Sequence, residues 1–110
     1  MSEHDINPLI DEALLPAAHW DILRTLRISG HLGATERMIR EVLVAGYLGI
    51  TRHWLRDQLA YLESRKLIAI ERHAVDPWRV VLTRHGYDVA DYQVACEPGI
   101  RRPPRARPGE

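Results

Sequence analysis

The sequence predicts an α+β fold built around a helix that runs directly into a β-hairpin. Three observations carry that prediction. Residues 51–67, TRHWLRDQLAYLESRKL, place Leu55, Leu59 and Leu62 at i, i+4 and i+7, one apolar stripe of a helix. Two aliphatic runs of strand length follow: Leu67, Ile68 and Ile70, then Val80, Val81 and Leu82. Between them, residues 73–78 contain the Asp76-Pro77 turn signal, and Pro77 cannot donate to a ladder, so it belongs to the loop. A hairpin of this size is unstable alone and must pack on helices.

From the N-terminus, Asn7-Pro8 reads as an N-cap followed by proline at the first helical position. Asp11 and Glu12 then favour the positive end of the helix dipole. Pro16 interrupts this run, which predicts a short helix to about residue 14 and a main helix over residues 16–28. Leu15, His19, Ile22 and Leu26 share its stripe, Leu23 lies beside it, and Ser29-Gly30 stops it. Residues 31–34 form a short link, or one strand of the wing sheet. Thr35 caps a second helix with Met38, Ile39, Val42 and Leu43 as apolar face, ending near Gly46. Gly49 supplies a flexible turn residue before Thr51, the N-cap of the third helix, where Ile50 and Leu55 can form a hydrophobic staple. The polar face of that helix carries His53, Arg56, Asp57, Ala60 and Ser64, with Arg52 at its edge. Trp54 and Tyr61 lie on one flank, as shoulder packing.

After the hairpin, Thr83 caps a last helix over residues 84–95. Tyr87, Ala90 and Val94 make one apolar stripe; Val89 and Tyr92 make a second. A helix apolar on two faces has more to bury than one contact supplies, which predicts a homodimer through this C-terminal helix. Pro98-Gly99 ends it, and the tail RRPPRARPGE, with its arginines and prolines, reads as extended and disordered. The chain thus divides into an N-terminal arm (1–8), a folded domain (9–97) and a Pro/Arg-rich tail (98–110). Two amphipathic helices joined by a Gly-containing turn are a helix-turn-helix signature. With the hairpin and the last helix, the order is that of a winged helix-turn-helix: three helices, a β-hairpin wing and a C-terminal helix.

The 110 residues suffice for one domain with a modest core. The 15 Lys and Arg balance the 15 Asp and Glu, so only a local patch could attract nucleic acid. Cys96 is the single cysteine, which excludes a disulfide framework and a multi-cysteine zinc site and fits a cytoplasmic location. No apolar run approaches the roughly 20 residues of a membrane span, and the acidic N-terminus does not read as a signal peptide. No Gly-rich phosphate loop or G-x-S-x-G elbow occurs. Cys96 reads as a small hydrophobe rather than a nucleophile. His4, His19, His31, His53, His73 and His85 are scattered without metal-ligand spacing. Neither an enzyme, a metal, a cofactor nor a small-molecule ligand is predicted.

The basic residues point to double-stranded DNA as partner. Arg52 and His53 occupy the first turn of the third helix, where a recognition helix commonly meets base edges and phosphates. Arg56, one turn on, has the reach for guanine O6 and N7. Arg37 and Arg40 on the second helix suit the DNA backbone, and Arg72, His73 and Arg79 place charge on the wing for phosphate or minor-groove contact. Asp57 on the same face repels phosphate, although a carboxylate can accept from cytosine. The competing reading makes these arginines a solvated face paired with Glu36, Glu41, Glu63 and Glu71.

The segments LRDQLAYLESRKLIAI (55–70) and VVLTRHGYDVA (80–90) resemble winged-helix transcription regulators. An L-x-x-L-x-x-x-x-L-I run is matched by Leu59, Leu62, Leu67 and Ile68, and an L-T-x-x-G-x-x-x-A motif by Leu82, Thr83, Gly86 and Ala90. Over about residues 10–100 the chain is similar to the small winged-helix proteins of Mu-like phages and prophages in length, layout and Pro/Arg-containing tail. The resemblance implies a phage or prophage transcriptional regulator and assigns no DNA site. The rival expectation is a winged helix used for protein–protein interaction in phage assembly or host takeover, motivated by the zero net charge and by Asp57 and Glu63 on the third helix.

Overall fold

Three threonines start three helices in the same way. Thr35, Thr51 and Thr83 hold extended backbone and accept, through the side-chain oxygen, from the N–H groups of Met38 (3.2 Å), Trp54 (3.0 Å) and Gly86 (3.1 Å). Each satisfies one donor that the first helical turn leaves free. The computed structural model describes residues 12–105. Its elements are α1 (Leu15–Ser29), β1 (Ala34–Thr35), α2 (Glu36–Val44), α3 (Arg52–Ser64), β2 (Ile68–Glu71), β3 (Arg79–Leu82) and α4 (Arg84–Ala90), with short 3-10 turns at Glu12–Leu14 and Gly30–Leu32.

The hairpin forms as expected. Ile68 faces Leu82 and Glu71 faces Arg79, and the link after α1 adds β1 on the far side of β3, giving the antiparallel order β1-β3-β2. Gly33 (φ +72°) lets that link in, since a Cβ there would overlap the Val80 carbonyl. The core is one cluster: Ile22, Leu23 and Leu26 of α1, Ile39 and Leu43 of α2, Leu55, Leu59 and Leu62 of α3, Leu67 and Val80 by the sheet, and Val89 of α4.

The structure corrects several boundaries. The short first helix is the 3-10 turn Glu12–Leu14, and α1 begins at Leu15, with Pro16 in its first turn where it costs no hydrogen bond. Asn7-Pro8, Asp11 and the arm 1–8 lie outside the described residues. On α2 only Ile39 and Leu43 of the expected apolar face are buried; Met38 and Val42 are exposed, and the buried third position is Glu36. The helix ends at Val44, short of Gly46.

The larger correction concerns the C-terminus. α4 stops at Ala90 rather than near residue 95. The Tyr92 N–H donates to Val89 O and the Gln93 N–H to Asp88 O, with Tyr92 left-handed at φ +62°. This is a Schellman ending with tyrosine where glycine is usual. The same ending closes α3, where Lys66 has φ +62° and the Lys66 and Leu67 N–H groups donate to Glu63 O and Leu62 O.

Beyond Tyr92 the chain turns back over α1. The first part of the expected disordered tail is seated there. Ile100 is buried, the Arg101 N–H donates to Pro16 O (2.9 Å), and His19 Nδ1 donates to Gly99 O (2.8 Å). The Tyr92 hydroxyl donates to Pro103 O (2.7 Å), and Arg102, its guanidinium 4.5 Å from the Tyr92 ring centroid, donates to the carbonyls of Val89 and Val94. Burying Ile100 is the physical reason this segment does not stay free. It also takes up Tyr92, so the surplus apolar face that suggested a second subunit is largely occupied within the chain. Residues 106–110 lie outside the described part.

Candidate nucleic-acid interface

On α3, Leu55, Leu59 and Leu62 turn inward, and Arg52, His53, Asp57, Ala60 and Ser64 turn outward. Trp54 and Tyr61 are half-buried shoulder residues, Tyr61 stacking on His19 at 4.8 Å. The expected division of the helix into core and outward faces is therefore present. Arg56 departs from it.

Arg56 turns back toward α2. Its Nε and Nη2 donate to the two carboxylate oxygens of Glu36, at 2.7 and 2.6 Å. Glu36 is 4% exposed and also receives the Trp78 N–H (3.0 Å), while its own N–H donates to Trp78 O (2.8 Å). The Trp78 ring has Arg56 4.0 Å from its centroid and Arg72 at 4.8 Å. Arg72 in turn donates through both Nη atoms to Glu63, at 2.9 and 2.9 Å. Two acids, two arginines and an indole thereby fasten the wing to α2 and α3. The hydrogen bond from Arg56, helped by the Trp78 N–H and the charges of Arg56 and Arg52, holds the Glu36 carboxyl below its usual range against the opposing effect of burial. Arg72 does the same for Glu63.

The other wing residues are also engaged. Arg79 Nη1 donates to Leu32 O (2.9 Å), and His73 Nε2 lies 2.8 Å from Glu71 Oε2. Of the four acids in the paired-arginine reading, Glu36 and Glu63 meet Arg56 and Arg72, while Glu71 meets His73.

Arg37, Arg40 and Arg52 are brought together beside this network. They line a cleft of about 430 Å³ between the starts of α2 and α3 and the wing loop, with Glu36, Thr51, Val75 and Pro77 also on its walls. Arg40 gives its Nε to Ile50 O (2.7 Å) and keeps its terminal nitrogens. Among the described residues, Arg37 and Arg52 form no ion pair and both are exposed. Guanidinium groups so placed suit the oxygens of a phosphate. His53 stands fully outward one turn from Asp57, with Nε2 3.5 Å from Asp57 Oδ2.

Glu36, one of the four acids expected to pair with these arginines, and Trp78, which no sequence signal placed beside it, form the centre of this arrangement. Trp78 directly after the Asp76-Pro77 turn was a signal of a kind, since a large aromatic at a loop end needs a surface to pack on. Nothing local marks a glutamate that will be buried.

Two solved structures share this architecture. A crystal structure of a candidate DNA-binding protein from Ralstonia eutropha JMP134 aligns with a TM-score of 0.57 at 19% identity, over 72% of this chain and 96% of that one. ZitR from Lactococcus lactis aligns with a TM-score of 0.55 at 21% identity, over 80% of this chain and 56% of ZitR, so the chain spans little more than half of ZitR's length. No protein-family model and no curated protein matches the sequence. The likeness is one of fold: the protein is an α+β winged helix. No helix among the described residues is long and apolar enough to cross a membrane.

Proposed function

We propose that this protein is a non-enzymatic winged-helix DNA-binding protein that regulates transcription in the cytoplasm. The observation that carries the reading is the outward face of α3 bordered by the Arg37, Arg40 and Arg52 cleft. The helix would lie in the major groove with those guanidinium groups on the phosphates at its edge. The DNA-binding description of the Ralstonia eutropha neighbour supports the same reading. In it, His53 faces the groove, while Arg56, Arg72, His73 and Arg79 act mainly by holding the wing in position. A phage or prophage origin is the narrower form, supported by the resemblance of length and layout. A homodimer would present two α3 helices to two half-sites. A fluorescence-anisotropy titration against the protein's own upstream duplex and a random duplex, at matched salt, tests the reading.

A second reading, a protein-binding module, is favoured by one observation. Met38, Val42, Val44 and Leu48 leave large apolar side chains exposed along α2 and the turn after it. Binding to neither duplex would favour it.

A further inference from the structure

The pairing of Arg56 with Glu36 changes which side chains of α3 are available for base edges. Arg56 cannot extend toward a groove without leaving a nearly buried carboxylate unpaired and uncovering Trp78. Arg52 lines the cleft at the start of the helix, where the DNA-binding reading sets the phosphates. Ala60, one turn beyond Asp57, is exposed and too short to reach far. Ser64, in the last turn, gives its hydroxyl to Tyr61 O. That leaves His53 and Asp57 on the middle of the outward face, with side chains 90% and 63% exposed.

We infer, resting on the DNA-binding reading above, that Asp57 is a specificity-determining residue that accepts a hydrogen bond from the exocyclic amine of cytosine in the major groove. Four features support it. The carboxylate stands at the middle of the face rather than at its edges, where phosphates run, so its charge meets base edges first. His53 Nε2 lies 3.5 Å from Oδ2, while Oδ1 has no partner among the described residues. Cytosine N4 is the one major-groove donor of a G·C pair, and a carboxylate can only accept. The short side chain at Ala60 lets the helix approach the bases closely enough for an aspartate to reach.

The test is a parallel selection from a randomised duplex pool with the wild type, Asp57→Ala and Asp57→Asn, followed by titration of each protein on the wild-type motif, on its variant at the sensitive pair and on random duplex. The wild type is expected to enrich a motif with one C·G pair that Asp57→Ala no longer requires. Discrimination at that pair should fall roughly tenfold, within the range for one good side chain–base contact. Binding of Asp57→Ala to random duplex should stay level or tighten, because a negative charge has gone from the DNA-facing surface. Asp57→Asn should shift the preference at the same position toward adenine, which presents both a donor and an acceptor to an amide. An unchanged motif in Asp57→Ala would overturn the assignment while leaving DNA binding intact, as would an equal loss on specific and random duplexes. A wild type that enriches no motif would overturn sequence reading by this helix altogether, and the assignment with it.

Discussion

Arg56 lies on the helix predicted to read DNA, yet the Nε and Nη2 edge of its guanidinium is given to both carboxylate oxygens of Glu36 at the start of α2, at 2.7 and 2.6 Å. The pair joins the two helices of the helix-turn-helix and, through Trp78, the wing. Removing one partner of a nearly buried, doubly hydrogen-bonded pair leaves the other uncompensated. Glu36→Ala is therefore expected to cost about 2–4 kcal/mol, discounted from the fully buried case because Arg56 is partly exposed. That corresponds to a drop of roughly 10–20 °C in Tm for a domain of this size, read by scanning calorimetry. Glu36→Gln, which keeps an acceptor for the Trp78 N–H, should lose less. A Glu36→Ala Tm within about 2 °C of wild type would contradict this account.

The same pair predicts how stability responds to acid. The Glu36 carboxyl is held below its ordinary range by Arg56 first, and Glu63 likewise by Arg72. A carboxyl whose folded-state value is depressed contributes stability that is complete above its unfolded value, about 4.3, and is lost as pH falls through the folded value. Tm should thus fall between about pH 5 and pH 3 more steeply in the wild type than in Glu36→Gln, which has no proton to gain at that position. Parallel acid profiles for the two proteins would rule out this source of the pH dependence.

Lys66 closes α3 in a left-handed conformation that side chains with a Cβ disfavour by roughly 1–2 kcal/mol. Its side chain is exposed and no ion pair holds it among the described residues. Lys66→Gly should accordingly raise stability by about 1 kcal/mol in chemical denaturation, with an unchanged slope against denaturant. The equivalent change at Tyr92 should not help, because there the side chain meets Trp20, Arg102 and Pro103.

Gly86 tests the opposite sign. Alanine inside a helix normally gains about 1 kcal/mol over glycine. At Gly86 an added Cβ would run into the Leu67 carbonyl, a backbone atom that also accepts the Thr83 N–H at 3.0 Å. Overpacking of this kind costs roughly 1–3 kcal/mol, so Gly86→Ala should be destabilising in the same denaturation assay. A stabilised Gly86→Ala would show that α4 can shift away from β2 freely.

Much of this fold could be read from local pattern. The leucine stripe of α3, the three threonine caps, the aliphatic strands and the Asp76-Pro77 turn each depend on residues a few positions apart. What escaped reading depends on distant partners. Glu36 is buried because Arg56 and Trp78, 20 and 42 positions away, satisfy its carboxylate. α4 ends early without glycine, because Tyr92 is held in its left-handed turn by Trp20 and by the returning chain. The tail composition suggested disorder, and Ile100 alone supplied the apolar anchor that seats its first residues on α1. For the candidate interface, the outward face of α3 was legible from helical spacing. Which arginines remain available was not, since periodicity places a side chain on a face and cannot say which acid it meets.

The central claim is that α3 and the arginine cleft bind duplex DNA. Its most direct measurement is the affinity of the wild type and of Arg52→Ala for the upstream duplex and for a random duplex, by fluorescence anisotropy from about 50 to 200 mM salt. The predicted result is tighter binding of the wild type to the upstream duplex, a linear fall of log affinity with log salt, and a slope smaller by roughly one in Arg52→Ala. Equal affinity of the wild type for both duplexes, or a salt slope unaltered by Arg52→Ala, would contradict it.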